Sequence, residues 1–140
     1  MNWLVAPAPA PVIAATLLFL RLVVGVAFML HGMPKLSHPM TWMNLFGMKR
    51  PAPGPLQALA ALSEVGGGLA VLLGLVTRLG AFGVAATMVG ALVTVHLPAH
   101  DPFVSPGRSS SELPVVYLAV AFLLMAIGPG PWSLDAILFG

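Results

Sequence analysis

The sequence predicts an all-α protein, a four-helix transmembrane bundle that is polytopic and integral to the membrane. Three observations carry this. Of the 140 residues, 59% are hydrophobic and only 7% are charged, against roughly 25% charged in soluble domains. Four apolar stretches approach the length of about 20 residues that a bilayer core requires. Helix-breaking proline and glycine fall between those stretches. The length suits one domain, residues 1–140.

The first span is expected at about 12–33, interrupted by Arg21 and ended by Pro34. Ahead of it, Pro7, Pro9 and Pro11 suggest an extended lead-in with Trp3 near the interface. The first ten residues hold no Lys or Arg, so no basic signal-peptide region is present there. The second span, about 55–76, opens on Pro55, where a missing N–H costs nothing, and is interrupted by Glu64. The third, about 78–97, stops at Pro98. The fourth, about 112–128, follows Ser109, Ser110 and Ser111, which with Glu112 form a Ser-x-x-Glu capping pattern. It ends at Gly128-Pro129-Gly130-Pro131. Ser133 then caps a short interfacial helix, 133–139.

An even number of spans puts both termini on one side of the membrane. The loops of about 34–54 and 98–111 share the other side and hold Lys35, Lys49, Arg50 and Arg108. Basic loops favour the cytoplasm, by a narrow margin here. Between helices in lipid, close packing depends on small residues. Gly80, Gly83, Thr87, Gly90 and Thr94 recur at 3-4-3-4 spacing, and Ser63, Gly67, Ala70 and Gly74 form a second stripe. Both are expected to be packing seams.

A charge near the membrane midplane costs several kcal/mol and needs a partner. Arg21 and Glu64 lie at similar depths and are the expected ion pair. All four histidines belong to the end of the bundle that carries the longer loops. His31 and His96 end their helices, and His38 and His100 lie in the loops. Glu112 and Lys35 are at the same level. These groups suggest one polar cavity at that end. Each has a plainer reading as well: a register-fixing salt bridge, a helix cap at Glu112, interfacial histidines. A haem on His31 and His96, or a metal on His31, His96, Glu64 and Glu112, has acceptable ligand types. The spacing is not diagnostic, and neither is expected. Cysteine is absent, which removes thiol redox chemistry and thiolate metal sites. The few basic residues are dispersed, so no nucleic-acid partner is expected.

With these residues in view, the chain resembles the DoxX family of bacterial membrane proteins over about residues 17–135. The likeness rests on Leu20-Arg21-Leu22 with Gly25, His31-Gly32 with Lys35, and Glu64 with Gly67 and Gly68. It continues through Gly74-Leu75-Val76-Thr77-Arg78, Val95-His96, Glu112 and Gly128-Pro129-Gly130 to Ser133-Leu134-Asp135. The resemblance implies a four-helix protein of the bacterial inner membrane, linked to oxidoreductase systems that reduce quinone. On that reading His31, His96, Glu64 and Glu112 carry proton chemistry, and Arg21, Lys35, His31 and His96 hold the quinone. Electrons would come from a partner subunit, and the bilayer, partner subunits or further copies of the chain are the expected contacts. Whether the chain is itself an enzyme stays open. The competing readings are a structural or assembly subunit of a membrane complex, and a small-solute binding or transport protein.

Overall fold

A computed structural model describes residues 8–48 and 50–140. The expected lead-in with Trp3, and Lys49, lie outside the described residues. The protein is all-helical, with no strand among the described residues. In chain order the elements are α1 (Ala10–Leu36), α2 (Trp42–Leu45), α3 (Gly54–Leu73), α4 (Thr77–Ala91), a π-helical turn (Leu92–His96), α5 (Leu97–Ala99), α6 (Glu112–Ile127) and α7 (Leu134–Phe139). α4, the π turn and α5 run on as one rod, Thr77–Ala99. That rod, α1 and α3 are each long and apolar enough to cross a membrane, and α6 is an apolar helix of 16 residues.

Two helices run through prolines expected to stop them. α1 passes Pro34 and ends at Leu36. A proline removes its own N–H bond and crowds the carbonyl four residues back, but α1 runs only two residues past Pro34, and the Ser37 hydroxyl closes its end on the Pro34 carbonyl at 2.8 Å. The third span passes Pro98 because its backbone widens just before it: the Leu97 N–H donates to the Leu92 carbonyl five residues back. That wider turn moves the Thr94 carbonyl, which the Pro98 ring would otherwise strike. The serine cap of α6 is also corrected. Ser111 precedes α6 without a side-chain cap, and the Ser109 hydroxyl donates to Asp101 instead. Ser133 does cap α7, accepting from the Ala136 N–H at 3.1 Å.

α1 packs on α3, α3 on α4, and α4 on α6. The core where they meet holds Val24, Phe28, Val71, Val84, Ala121 and Leu124, and is closed by an edge-to-face contact of Phe28 with Tyr117 at 5.0 Å. The helices approach through glycine: a Cβ on Gly25 would lie 2.6 Å from the Leu72 Cβ and 2.7 Å from the Gly68 carbonyl. Large apolar side chains such as Phe19, Leu30, Leu79 and Phe122 point outward, as a surface facing lipid requires.

Arg21 is 2% exposed and does not pair with Glu64. Its Nε donates to the Val71 carbonyl at 3.0 Å and its Nη2 to Leu72 at 3.2 Å. Its Nη1 donates to Pro129 at 3.0 Å and Trp132 at 2.8 Å. Two of these carbonyls lie in the last turn of α3, where the helix dipole favours a cation. Side chains lean toward the N-terminus of their helix. Arg21 therefore leans away from Glu64, which leans toward the N-terminus of antiparallel α3. Asp135 holds the same turn from its other side. Its carboxylate accepts the Val76 N–H at 2.6 Å and the Thr77 N–H at 2.9 Å. Val76, with φ at 45°, is strained for a β-branched residue, and the Asp135 bond holds it there.

Burial alone would raise the Asp135 pKa. The N–H groups of Thr77 and Val76 and the Arg21 charge outweigh burial and hold it below the ordinary 3.8. A depressed folded-state value means that the stabilisation is fully present above the unfolded pKa. It is lost as pH falls through the folded one. Asp135→Asn is expected to cost about 1 kcal/mol at neutral pH, as lost helix caps do, and to flatten the acid limb of stability. Thermal unfolding in detergent across pH 2–7 checks both.

Candidate functional site

At the opposite end of the bundle, the extra turn of α1 carries Lys35 over Gly32. A Cβ on Gly32 would stand 2.9 Å from the Glu64 Cβ, so the two helices nearly touch there. Lys35 leans back along α1 and Glu64 leans back along antiparallel α3, so they meet. Lys35 Nζ donates to Glu64 Oε1 at 2.6 Å and also to Oε2. The Lys35 ammonium lies 4.6 Å from the centroid of the Trp42 ring, within cation–π range. Glu64 is 5% exposed, so the pair is close to dry. Removing one partner would strand a buried charge.

Trp42 and α2 form a roof over this pair, and Gln57 fastens it. Trp42 Nε1 donates to the Gln57 carbonyl at 2.9 Å. The Gln57 side chain accepts the Met43 N–H at 2.9 Å and donates to the Ala52 carbonyl at 2.6 Å. Gln57 is 3% exposed, and its amide is satisfied as donor and acceptor.

Under the roof, α3 and α4 diverge. They touch near Gly67 and Gly80, where a Cβ on Gly67 would lie 2.8 Å from the Gly80 carbonyl. Further along, a Cβ on Gly83 would find its nearest neighbour, Ser63, at 3.6 Å, and one on Gly90 would meet nothing within 4 Å. The small-residue stripes are thus a seam at one end and a groove at the other, which corrects the expectation of a continuous seam. The groove is open along its length, has a volume of about 850 Å³, and is lined by Lys35, Trp42, Gln57, Glu64, Thr87 and His96 among others. Most of the remaining wall is apolar.

His96 closes the polar set. Its Nδ1 lies 2.8 Å from Asp101 Oδ2, which also accepts from the Ser109 hydroxyl at 2.7 Å. The Asp101 carboxyl is held below its ordinary value chiefly by the Ser109 bond, with the His96 contact adding to it against the opposing effect of desolvation.

Of the residues expected from the sequence, the structure pairs Lys35 with Glu64 and puts His96 in the wall of the same groove. It places the other three elsewhere. Arg21 belongs to the α3–α4 turn at the far end. His31 is exposed, its Nδ1 turned back to the Ala27 carbonyl at 2.8 Å. Glu112 is exposed on the first turn of α6, outside the groove. Trp42, Gln57 and Asp101 were not singled out in the sequence. The signal for Gln57 was a lone amide within an otherwise apolar span.

The DoxX family profile matches residues 16–97. The chain belongs to the DoxX family. This DoxX protein is 33% identical over 130 residues to "Uncharacterized membrane protein Rv3486" of Mycobacterium tuberculosis, across 83% of the chain and 77% of the relative. It is 30% identical over 122 residues to "Putative oxidoreductase CatD" of Bacillus subtilis, across 87% and 86%. A Haemophilus influenzae relative, named only as an uncharacterized protein, is 30% identical over 120 residues, across 85% and 87%. No solved structure matches. The matched stretch spans Arg21, Lys35, Gln57, Glu64 and His96, and with the candidate spans it makes this a membrane protein in contact with lipid.

Gln57→Leu removes the partners of the Met43 N–H and the Ala52 carbonyl. It is expected to cost about 1–3 kcal/mol and to speed hydrogen exchange at residues 42–46, while exchange around Arg21 stays unchanged. Exchange mass spectrometry in detergent measures both.

Proposed function

We propose that this DoxX protein is the membrane subunit of an oxidoreductase system and binds a quinone in the α3–α4 groove. The observation that carries this is a long, mostly apolar groove whose wall also holds the hydrogen-bonding side chains of Lys35, Glu64 and His96. A quinone has that polarity: two carbonyl oxygens on an apolar ring, with an apolar tail. The donor set fits it. Lys35 has an N–H beyond those engaged by Glu64, and His96 is within the same wall. Lys35 would donate to a carbonyl oxygen, Glu64 would keep the ammonium in place, His96 would accept a hydroxyl proton of the reduced form, and the tail would lie along the glycine and threonine stripe. The bound quinone would supply a two-electron acceptor. Dry walls would strengthen each polar contact to it.

This reading takes Lys35, Glu64 and His96 as the site and leaves Arg21, His31 and Glu112 out of it. The name of the Bacillus subtilis relative supports an oxidoreductase setting. The reading also proposes that electrons arrive from a partner protein, and that the membrane is the bacterial inner membrane with both termini on one side.

Gly90→Leu fills open space, so it should leave the unfolding free energy within about 0.5 kcal/mol of the parent, as at unconstrained positions. It should weaken binding of a short-tailed ubiquinone analogue at least tenfold, measured by fluorescence quenching in nanodiscs. Unchanged binding in Gly90→Leu, or no binding by the parent protein, would count against a quinone in this groove. It would favour a structural or assembly subunit or a solute-binding protein.

A further inference from the structure

Three residues at the polar end form a chain that the quinone reading does not require. His96, Asp101 and Ser109 are arranged by an unusual local turn. The His100 N–H donates to the Leu97 carbonyl at 3.1 Å, and the Asp101 N–H to the His96 carbonyl at 3.0 Å. This is the paired 5→2 and 6→1 pattern that ends many helices. The residue in the left-handed position is usually glycine. Here it is His100, at φ 54°. The turn swings Asp101 back over the last turn of the helix and sets its carboxylate against the His96 ring. A non-glycine residue in that conformation costs energy and persists where its surroundings hold it. Here the held feature is the His96–Asp101 contact, with both side chains almost covered, at 14% and 13% exposure.

Both partners meet the same oxygen, Asp101 Oδ2. An ionised carboxylate only accepts, so Ser109 Oγ–H and His96 Nδ1–H must both be donors. His96 lines the groove with its Nδ1 already engaged, so Nε2 is the ring nitrogen left for a ligand. We propose that Asp101 is a positioning residue: it fixes the neutral His96 ring as the Nδ1–H tautomer and leaves the Nε2 lone pair as the proton acceptor of the groove. Ser109 holds the carboxylate in place. Orientation of a histidine by a carboxylate on its other nitrogen is a general device for setting which nitrogen does the chemistry. This inference rests on the groove being the functional site, but its test needs no quinone.

The experiment is ring-nitrogen NMR of the full chain, labelled with ¹⁵N-histidine, in nanodiscs at a pH where the ring is neutral. The His96 signals are assigned by their loss in His96→Gln. The expected result is predominant Nδ1–H in the parent protein, the minority form of free histidine. A shift to predominant Nε2–H is expected in Asp101→Ala, with Ser109→Ala intermediate. Predominant Nε2–H in the parent protein would overturn the proposal even if Asp101→Ala failed to fold. An unchanged tautomer in a folded Asp101→Ala would also overturn it. The Nδ1–H form in a parent protein that binds no quinone analogue would support this proposal and overturn the quinone reading. A failed tautomer test would leave the quinone reading untouched.

Discussion

The guanidinium of Arg21 is the constraint around which one half of this molecule is arranged. An uncompensated charge in an apolar interior is too costly to persist, and this one is compensated without a buried counter-ion at its own level. Four backbone carbonyls from two separate stretches converge on it, two from the end of α3 and two from the turn after α6. Arg21 thus ties the first span to the end of the second and to the turn that follows the fourth. Asp135 completes the tie by holding the start of α4.

Because Arg21 is satisfied at its own end, Glu64 is free to serve the other. The shape of the groove follows. α3 and α4 are pinned at the Gly67–Gly80 contact and by the turn that Arg21 and Asp135 hold. They have no comparable tie at the level of Gly90. There the chain places a roof, fastened by Gln57 and supported by the Lys35 ammonium beneath the Trp42 ring. One end of the bundle is cross-linked by hydrogen bonds to backbone. The other encloses a cavity with side-chain charge at its wall.

The fold was legible in the sequence because hydropathy and breakers act locally. The three long apolar helices, the shorter apolar α6, the Pro55 start and the Ser133 cap were readable from residue type and order. The reach of α1 past Pro34 and of the third span past Pro98 was not: the first adds only Lys35 and Leu36, closed off by Ser37, and the second depends on a widened turn. The site was half legible. Residue type identified Lys35, Glu64 and His96. Depth along the helix was the wrong guide to pairing, because it placed Arg21 beside Glu64. The backward lean of side chains along antiparallel helices separates those two and joins Lys35 to Glu64. Asp101 was hidden because its role depends on a left-handed turn at His100, which nothing in local composition announces.

The central claim is that the two buried charges are assigned to different ends, Glu64 to Lys35 and Arg21 to backbone carbonyls. A pair of double-mutant cycles on unfolding free energy in one detergent tests it most directly, using Lys35→Met, Arg21→Gln and Glu64→Gln. The expected coupling is about 1–3 kcal/mol between Lys35 and Glu64, with additivity within about 0.5 kcal/mol between Arg21 and Glu64. A larger coupling of Glu64 to Arg21 than to Lys35 would contradict it.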